Sequence, residues 1–120
     1  MAQTCGKDST NINLGTIFKL LLTFSEFEEY KVGDQDCTLS VSMWAGPTRN
    51  NVVTYTKADS NYLMYRDDNC YVLVVDTSLI GRGEFHVQTT WAIPDADILA
   101  ADSMRPDVKD VCLHDKIVIV

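Results

Sequence analysis

Residues Cys37-Thr-Leu-Ser-Val-Ser-Met-Trp44 alternate apolar and small polar side chains almost without interruption. Successive side chains of a strand point to opposite faces, so an extended segment buries Cys37, Leu39, Val41 and Met43 together. Wound as a helix, the same residues would scatter around the axis. Further β-patterned runs follow at short intervals as far as Ile93, separated by clusters of turn residues. The spacing predicts an all-β fold, a sandwich or a small barrel.

The first of these strands is Thr16-Ile-Phe-Lys-Leu-Leu-Leu-Thr-Phe24. Phe18, Leu20, Leu22 and Phe24 share one face, while Ile17, Lys19, Leu21 and Thr23 share the other. Both faces carry apolar residues, so the strand is expected to be covered on two sides. Gly33-Asp34 turns the chain into the alternating strand, and Ala45 to Asn51 is loop chemistry before a short strand at Val52 to Thr56. Tyr62 to Arg66 and Cys70 to Asp76 flank Asp67-Asp-Asn69, which predicts a hairpin. Asp76 or Thr77 is placed to cap a single helical turn that Gly81 closes.

A long strand then runs from Gly83 to Ile93, with Phe85, Val87, Thr89, Trp91 and Ile93 inward and Glu84, His86, Gln88, Thr90 and Ala92 outward. Trp91 is expected to anchor the core, with an indole N–H that needs a partner when buried. After Pro94 the pattern stops, and residues 95–107 read as a long loop before the last strands, either an excursion with a short helix or a loop reaching for a partner, of a length that often has a task. Val111 to His114 and Ile117 to Val120 close the chain. An apolar terminal strand left bare would aggregate, so it must be paired in the sheet or covered by another subunit.

The first 14 residues are polar and aperiodic and read as a flexible arm, with residues 15–120 as one domain. A chain of 120 residues, 46% of them hydrophobic, builds one core and not two. Its formal net charge of −7, from 17 acidic and 10 basic side chains, argues against nucleic acid and anionic membranes as partners. The same sign steers the chain toward a basic surface on another protein. No segment approaches a transmembrane length and the start has no apolar secretory region, so the chain is expected to be made and kept in a cytoplasm. Cys5, Cys37, Cys70 and Cys112 form no Cys-x-x-Cys pair, which removes the usual zinc and redox readings. A Cys37–Cys70 bridge between sheets is formally open, but in a reducing compartment buried free thiols are the expectation.

No residues assemble into a recognisable catalytic motif. Gly81-Arg-Gly83 lies between strands and lacks the lysine or helix of a phosphate loop. His86 and His114 are not at metal-ligand spacing, and His86 falls on the outer face of its strand. Asp95, Asp97 and Asp102 supply hard oxygens for calcium but lack the glycine and terminal glutamate of an EF-hand, so solvated acids are the simpler reading. Glu28-Glu29 and Asp67-Asp68 are adjacent pairs whose side chains diverge, which suits no general acid and base facing one substrate. Ser25, Ser40 and Ser78 sit in no activating context. Catalytic, cofactor and metal residues are therefore expected to be absent. Trp44, Tyr55, Tyr62 and Tyr65 would serve a glycan-binding or host-protein-binding module, although most are more simply cross-strand packing pairs.

The order of segments carries a resemblance. Phe18-Lys-Leu-Leu-Leu, then Tyr71-Val-Leu-Val-Val followed by Asp76-Thr-Ser-Leu-x-Gly-x-Gly83, then Ile93-Pro-Asp-x-Asp97 and a closing Ile-Val-Ile-Val resemble small structural proteins of phages infecting gut Bacteroidetes, with crassvirus-type virions the nearest comparison. The likeness covers residues 14–120, and its specific parts are the two motifs around Asp76 and Pro94. Where such proteins continue with a short Pro-Asp-Gly turn, this chain has Ile98-Leu-Ala-Ala-Asp-Ser-Met-Arg-Pro-Asp107. The resemblance implies an immunoglobulin-like antiparallel β-sandwich and a virion component without enzymatic activity or cofactor. That component is either a capsid auxiliary protein docking on the major capsid protein, or a tail or baseplate module. Homo-oligomers and other virion proteins are the partners it implies.

Overall fold

A computed structural model describes residues 9–98 and 103–120, and they form nine strands and one helical turn. The strands are β1 (Ser9–Ile12), β2 (Ile17–Thr23), β3 (Thr38–Ala45), β4 (Val53–Thr56), β5 (Leu63–Asp67), β6 (Cys70–Asp76), β7 (Gly83–Pro94), β8 (Met104–Asp110) and β9 (Lys116–Ile119). The helical turn, α1 (Thr77–Ile80), joins β6 to β7. Two sheets result. The larger has the order β1-β9-β7-β3-β4, with β8 also paired to β7, and the smaller has the order β2-β6-β5. The length of β7 explains the branch. Gly83 and Glu84 pair with β9, whereas Gln88 to Pro94 pair with β8.

The inner faces follow period two. Leu39, Val41 and Met43 of β3 and Phe85, Val87, Trp91 and Ile93 of β7 meet Leu22, Leu63, Tyr71, Leu73 and Val75 of the smaller sheet in one buried cluster. Phe85 sits edge-on to Phe18 across the sheets at 5.5 Å, and Trp91 is edge-on to Phe24 and Phe27. The Trp91 indole N–H is buried without a well-formed hydrogen bond; it faces the Cys37 thiol, whose pKa burial raises and the indole pulls back. The cap between β6 and β7 takes the form that the residues anticipate. Ser78 N–H donates to the Asp76 carboxylate, and Gly81, at φ +85°, returns its N–H to the Thr77 carbonyl. Thr77 is fully buried, and its hydroxyl ties the segment entering β2 to this turn. It donates to the Thr16 carbonyl and accepts from the Gly15 N–H, both at 2.8 Å.

Four expectations need correction. Ser9–Ile12, placed in a flexible arm, is strand β1 and runs parallel to β9, with Ile12 opposite Ile119. These residues lack an apolar pattern because a backbone ladder, rather than side-chain burial, holds them; residues 1–8 of the arm lie outside the described residues. The long loop expected over 95–107 is shortened by β8, which starts at Met104 and folds back on β7 in antiparallel register. Its charged residues hid it, since an edge strand needs no apolar face of its own. The strand β2 is not covered on both sides: Ile17 and Leu21 are 62% and 56% exposed. Lastly, Cys112 is disulfide-bonded whereas Cys37 and Cys70 are free, so the all-thiol expectation fails at Cys112 and a Cys37–Cys70 bridge is absent. The apolar terminal strand is paired in the sheet, between β1 and β7.

Candidate docking surface

The hydrogen-bond phase of β2 decides what it offers to solvent. Phe24 N–H donates to the Asn69 carbonyl and Thr77 N–H to the Thr16 carbonyl, so the even-numbered residues from Thr16 to Phe24 bond toward β6. In an antiparallel ladder the alternate residues then turn their N–H and C=O groups away. Ile17, Lys19, Leu21 and Thr23 therefore present both main-chain groups and an outer-face side chain at the rim of the smaller sheet. Behind them the register lays Val74 beside Lys19, Val72 beside Leu21, and Met64 beside Val72. Val72, Val74 and Met64 are half-buried, so the outer face is an apolar strip fringed by Lys19 and Asp76.

Where β2 ends, the two sheets part. An opening of about 440 Å³ lies between residues Leu21 to Phe27 on one side and Thr89, Trp91, Asp107 and Lys109 to Cys112 on the other. Glu26 and Asp107 bring carboxylates to its walls, with Lys109 held 3.3 Å from Asp107. A tight turn closes one end. Phe27 and Tyr30 exchange backbone hydrogen bonds around Glu28 and Glu29, which both adopt positive φ. Arg105 from β8 pins this turn by pairing with Glu28 at 3.0 Å, while also reaching Asp95 and lying over the Phe27 ring.

A second recess, of about 640 Å³, opens at the other end of the larger sheet, lined by Trp44, Gly46, Pro47, Arg49, Gly83, Glu84 and His86. Trp44 is opposite His86 in the β3–β7 ladder, and their rings stack at 5.5 Å. The Arg49 guanidinium lies 4.1 Å from the Trp44 ring centroid, a cation–π contact, leaving Trp44 only 4% exposed. Glu84 lies 3.2 Å from Lys116 and 4.0 Å from His86. The recess thus has a closed aromatic floor, with no bare ring face onto which a sugar could stack.

The residues weighed for other chemistry are dispersed. His86 lies on the outer face of β7 as expected, and His114 projects into solvent beside Asp115. The Asp95 carboxylate accepts from the Asp97 N–H and pairs with Arg105, while Asp102 lies outside the described residues. Among the described residues no three His, Cys, Asp or Glu side chains gather as a metal ion would require. Asp67 accepts from the Asn69 N–H in the β5–β6 turn, and Asp68 from the Tyr65 hydroxyl, so both serve the hairpin. Ser25 lines the opening, Ser40 lies on the outer face of β3, and Ser78 donates to Asp76 within the cap. Gly81-Arg-Gly83 is the turn into β7. Tyr55 and Tyr62 stack on each other at 4.8 Å, and Tyr65 packs edge-on to Tyr71. Lys57 makes a long-range structural contact that sequence reasoning passed over. Its ammonium donates to the Asp34 and Cys37 carbonyls, and the desolvation this entails lowers its pKa. Only the fold brings those carbonyls together, so no local signal marks it.

Among the described residues, the rim and outer face of β2 combine exposed apolar side chains with main-chain groups directed away from the sheet. Among the described residues no helix is long and apolar enough to cross a membrane. Comparison with known protein families, with curated proteins and with solved structures finds no match for this chain.

Proposed function

We propose that the chain is a non-enzymatic structural protein of a bacteriophage virion, a capsid auxiliary protein that docks on the major capsid protein. The single observation that carries the docking role is the exposed β2, with Ile17 and Leu21 on an apolar outer face and main-chain groups directed off the rim. Apolar side chains at alternate positions of an edge that no described strand covers are a hazard in a free monomer, and a protein that spends its life in an assembly turns that hazard into an interface. The virion setting rests on the sequence resemblance around Asp76 to Gly83 and Ile93 to Asp97.

An immunoglobulin-like sandwich belongs to the same proposal. In that architecture the B, E and D strands face a sheet built from G, F, C and C′. The order β2-β6-β5 opposite β9-β7-β3-β4 supports the assignment, with β1 added beside β9 and β8 as an extra hairpin arm on β7. The glycan-binding alternative loses support because Trp44 is covered by Arg49 and His86 and Tyr55 is stacked on Tyr62.

Co-sedimentation with shells assembled from the major capsid protein tests the proposal. Saturable pelleting, together with the protein's presence in purified heads, is the expected result. Its presence in isolated tails but not heads transfers the role to the tail or baseplate, and absence from both by mass spectrometry ends the virion reading.

A further inference from the structure

We infer that β2 is a receptor edge for an extended segment of a partner protein, one that alternates apolar and basic residues and joins the smaller sheet as a fourth strand. The inference deepens the docking role proposed above and rests on it. Three observations carry it.

The first is the contrast among the edges. β8 carries Pro106 amid charged neighbours, β5 is broken by a register shift between Tyr65 and Asp67, and β1 and β4 are only four residues long. Proline, charge, bulges and brevity are the devices by which sheets discourage added strands. β2 runs for seven residues with no proline or register shift, and Lys19 is its only charge.

The second is the match between side chains and main chain. The residues whose N–H and C=O groups point off the rim are the same ones that place Ile17 and Leu21 on the outer face. A strand added there gains main-chain hydrogen bonds and sets its own alternate apolar side chains against Ile17 and Leu21, which is how β-augmentation divides affinity from specificity.

The third is charge. The opening at the end of β2 is lined by three carboxylates, those of Glu26, Asp107 and Asp110, against the single ammonium of Lys109. The chain as a whole carries −7, which repels a second copy and attracts a basic segment.

The test uses two blocked peptides that match the seven residues of β2, one alternating lysine with valine and the other glutamate with valine. A proline at an outward-bonding position removes an edge donor but no internal ladder bond, so Leu21→Pro disables the edge while sparing the fold. Leu21→Lys, which keeps the N–H, covers the case in which the proline variant fails to fold. The lysine peptide is expected to bind about tenfold more tightly than the glutamate peptide, and Leu21→Pro or Leu21→Lys to weaken it about tenfold. Hydrogen exchange read by nuclear magnetic resonance should slow at the amides of Ile17, Lys19, Leu21 and Thr23 when the lysine peptide is bound.

The inference is overturned by equal affinity for the two peptides, by protection elsewhere on the protein, by no binding, or by a dimer of the wild type that Leu21→Pro dissolves. Peptide binding without shell binding would leave the edge standing and remove the capsid reading. Shell binding that survives both Leu21 variants would do the reverse.

Discussion

Gly83→Ala is the substitution whose cost the structure defines most closely. Gly83 begins β7 at φ +131°, where its backbone crosses the turn leaving β3, and Gly46 N–H donates to the Glu84 carbonyl at 2.9 Å. A Cβ on Gly83 would lie 2.7 Å from both the Cα and the N of Gly46, and 3.3 Å from the Ala45 carbonyl carbon. These are backbone atoms and cannot rotate aside. Holding an L-residue at such a φ costs about 1–3 kcal/mol, and forcing a methyl into a packed crossing costs about as much again. The two costs together come to about 2–6 kcal/mol, which at a urea m-value of about 2 kcal/mol/M lowers the unfolding midpoint by about 1–3 M. Gly15→Ala separates the two contributions. Gly15 has φ +97° but nothing within 4 Å of the new methyl, so it bears the conformational cost of about 1–2 kcal/mol without the clash. Urea titration followed by tryptophan fluorescence compares the variants. If Gly83→Ala shifts the midpoint no further than Gly15→Ala, the close crossing of β7 over Gly46 is not what holds the glycine, and the reasoning fails.

Other outcomes follow from single contacts. Thr77→Val preserves shape but strands the Gly15 N–H and the Thr16 carbonyl, and should lower stability by about 1–3 kcal/mol in the same titration. Glu29→Gly relieves a left-handed residue at φ +68° in an exposed turn and should raise stability by about 1 kcal/mol, read as a higher melting temperature. Burial raises the pKa values of the Cys37 thiol and the Tyr55 and Tyr71 phenols, so above pH 9.0 for the thiol and 10.0 for the phenols the unfolded chain releases protons that the folded chain retains. Through these three groups stability should fall as pH rises over that range, while Lys57, whose lowered pKa works in the other direction, opposes the fall. Urea midpoints measured from pH 8 to about 11 check the sign, and a flat or rising profile refutes it. Alkylation of the native protein followed by peptide mapping should find Cys70 labelled ahead of Cys37 and Cys112 in a disulfide-linked peptide.

The sequence by itself determined which residues face each other within a strand and where the chain turns. Leu39, Val41 and Met43, and Phe85, Val87, Trp91 and Ile93, were legible as inner faces because period two is a local property of an extended backbone. The cap from Asp76 to Gly81 was legible for the same reason, since its bonds join residues only a few positions apart. The tertiary structure alone decided which strands are edges. In the sequence Ile17 and Leu21 look like one side of a doubly covered strand, because alternation reports how side chains divide between two faces and not what lies against either. The strands β1 and β8 were hidden because ladders to β9 and β7 make them, and no side-chain pattern does. Trp44, His86 and Arg49 meet through a long-range ladder and a loop, as do Lys57 and its two carbonyls. The candidate docking edge belongs to this second class. An unpaired main-chain edge is a statement about a missing neighbour, and neighbours distant in sequence are fixed only when the whole chain has packed.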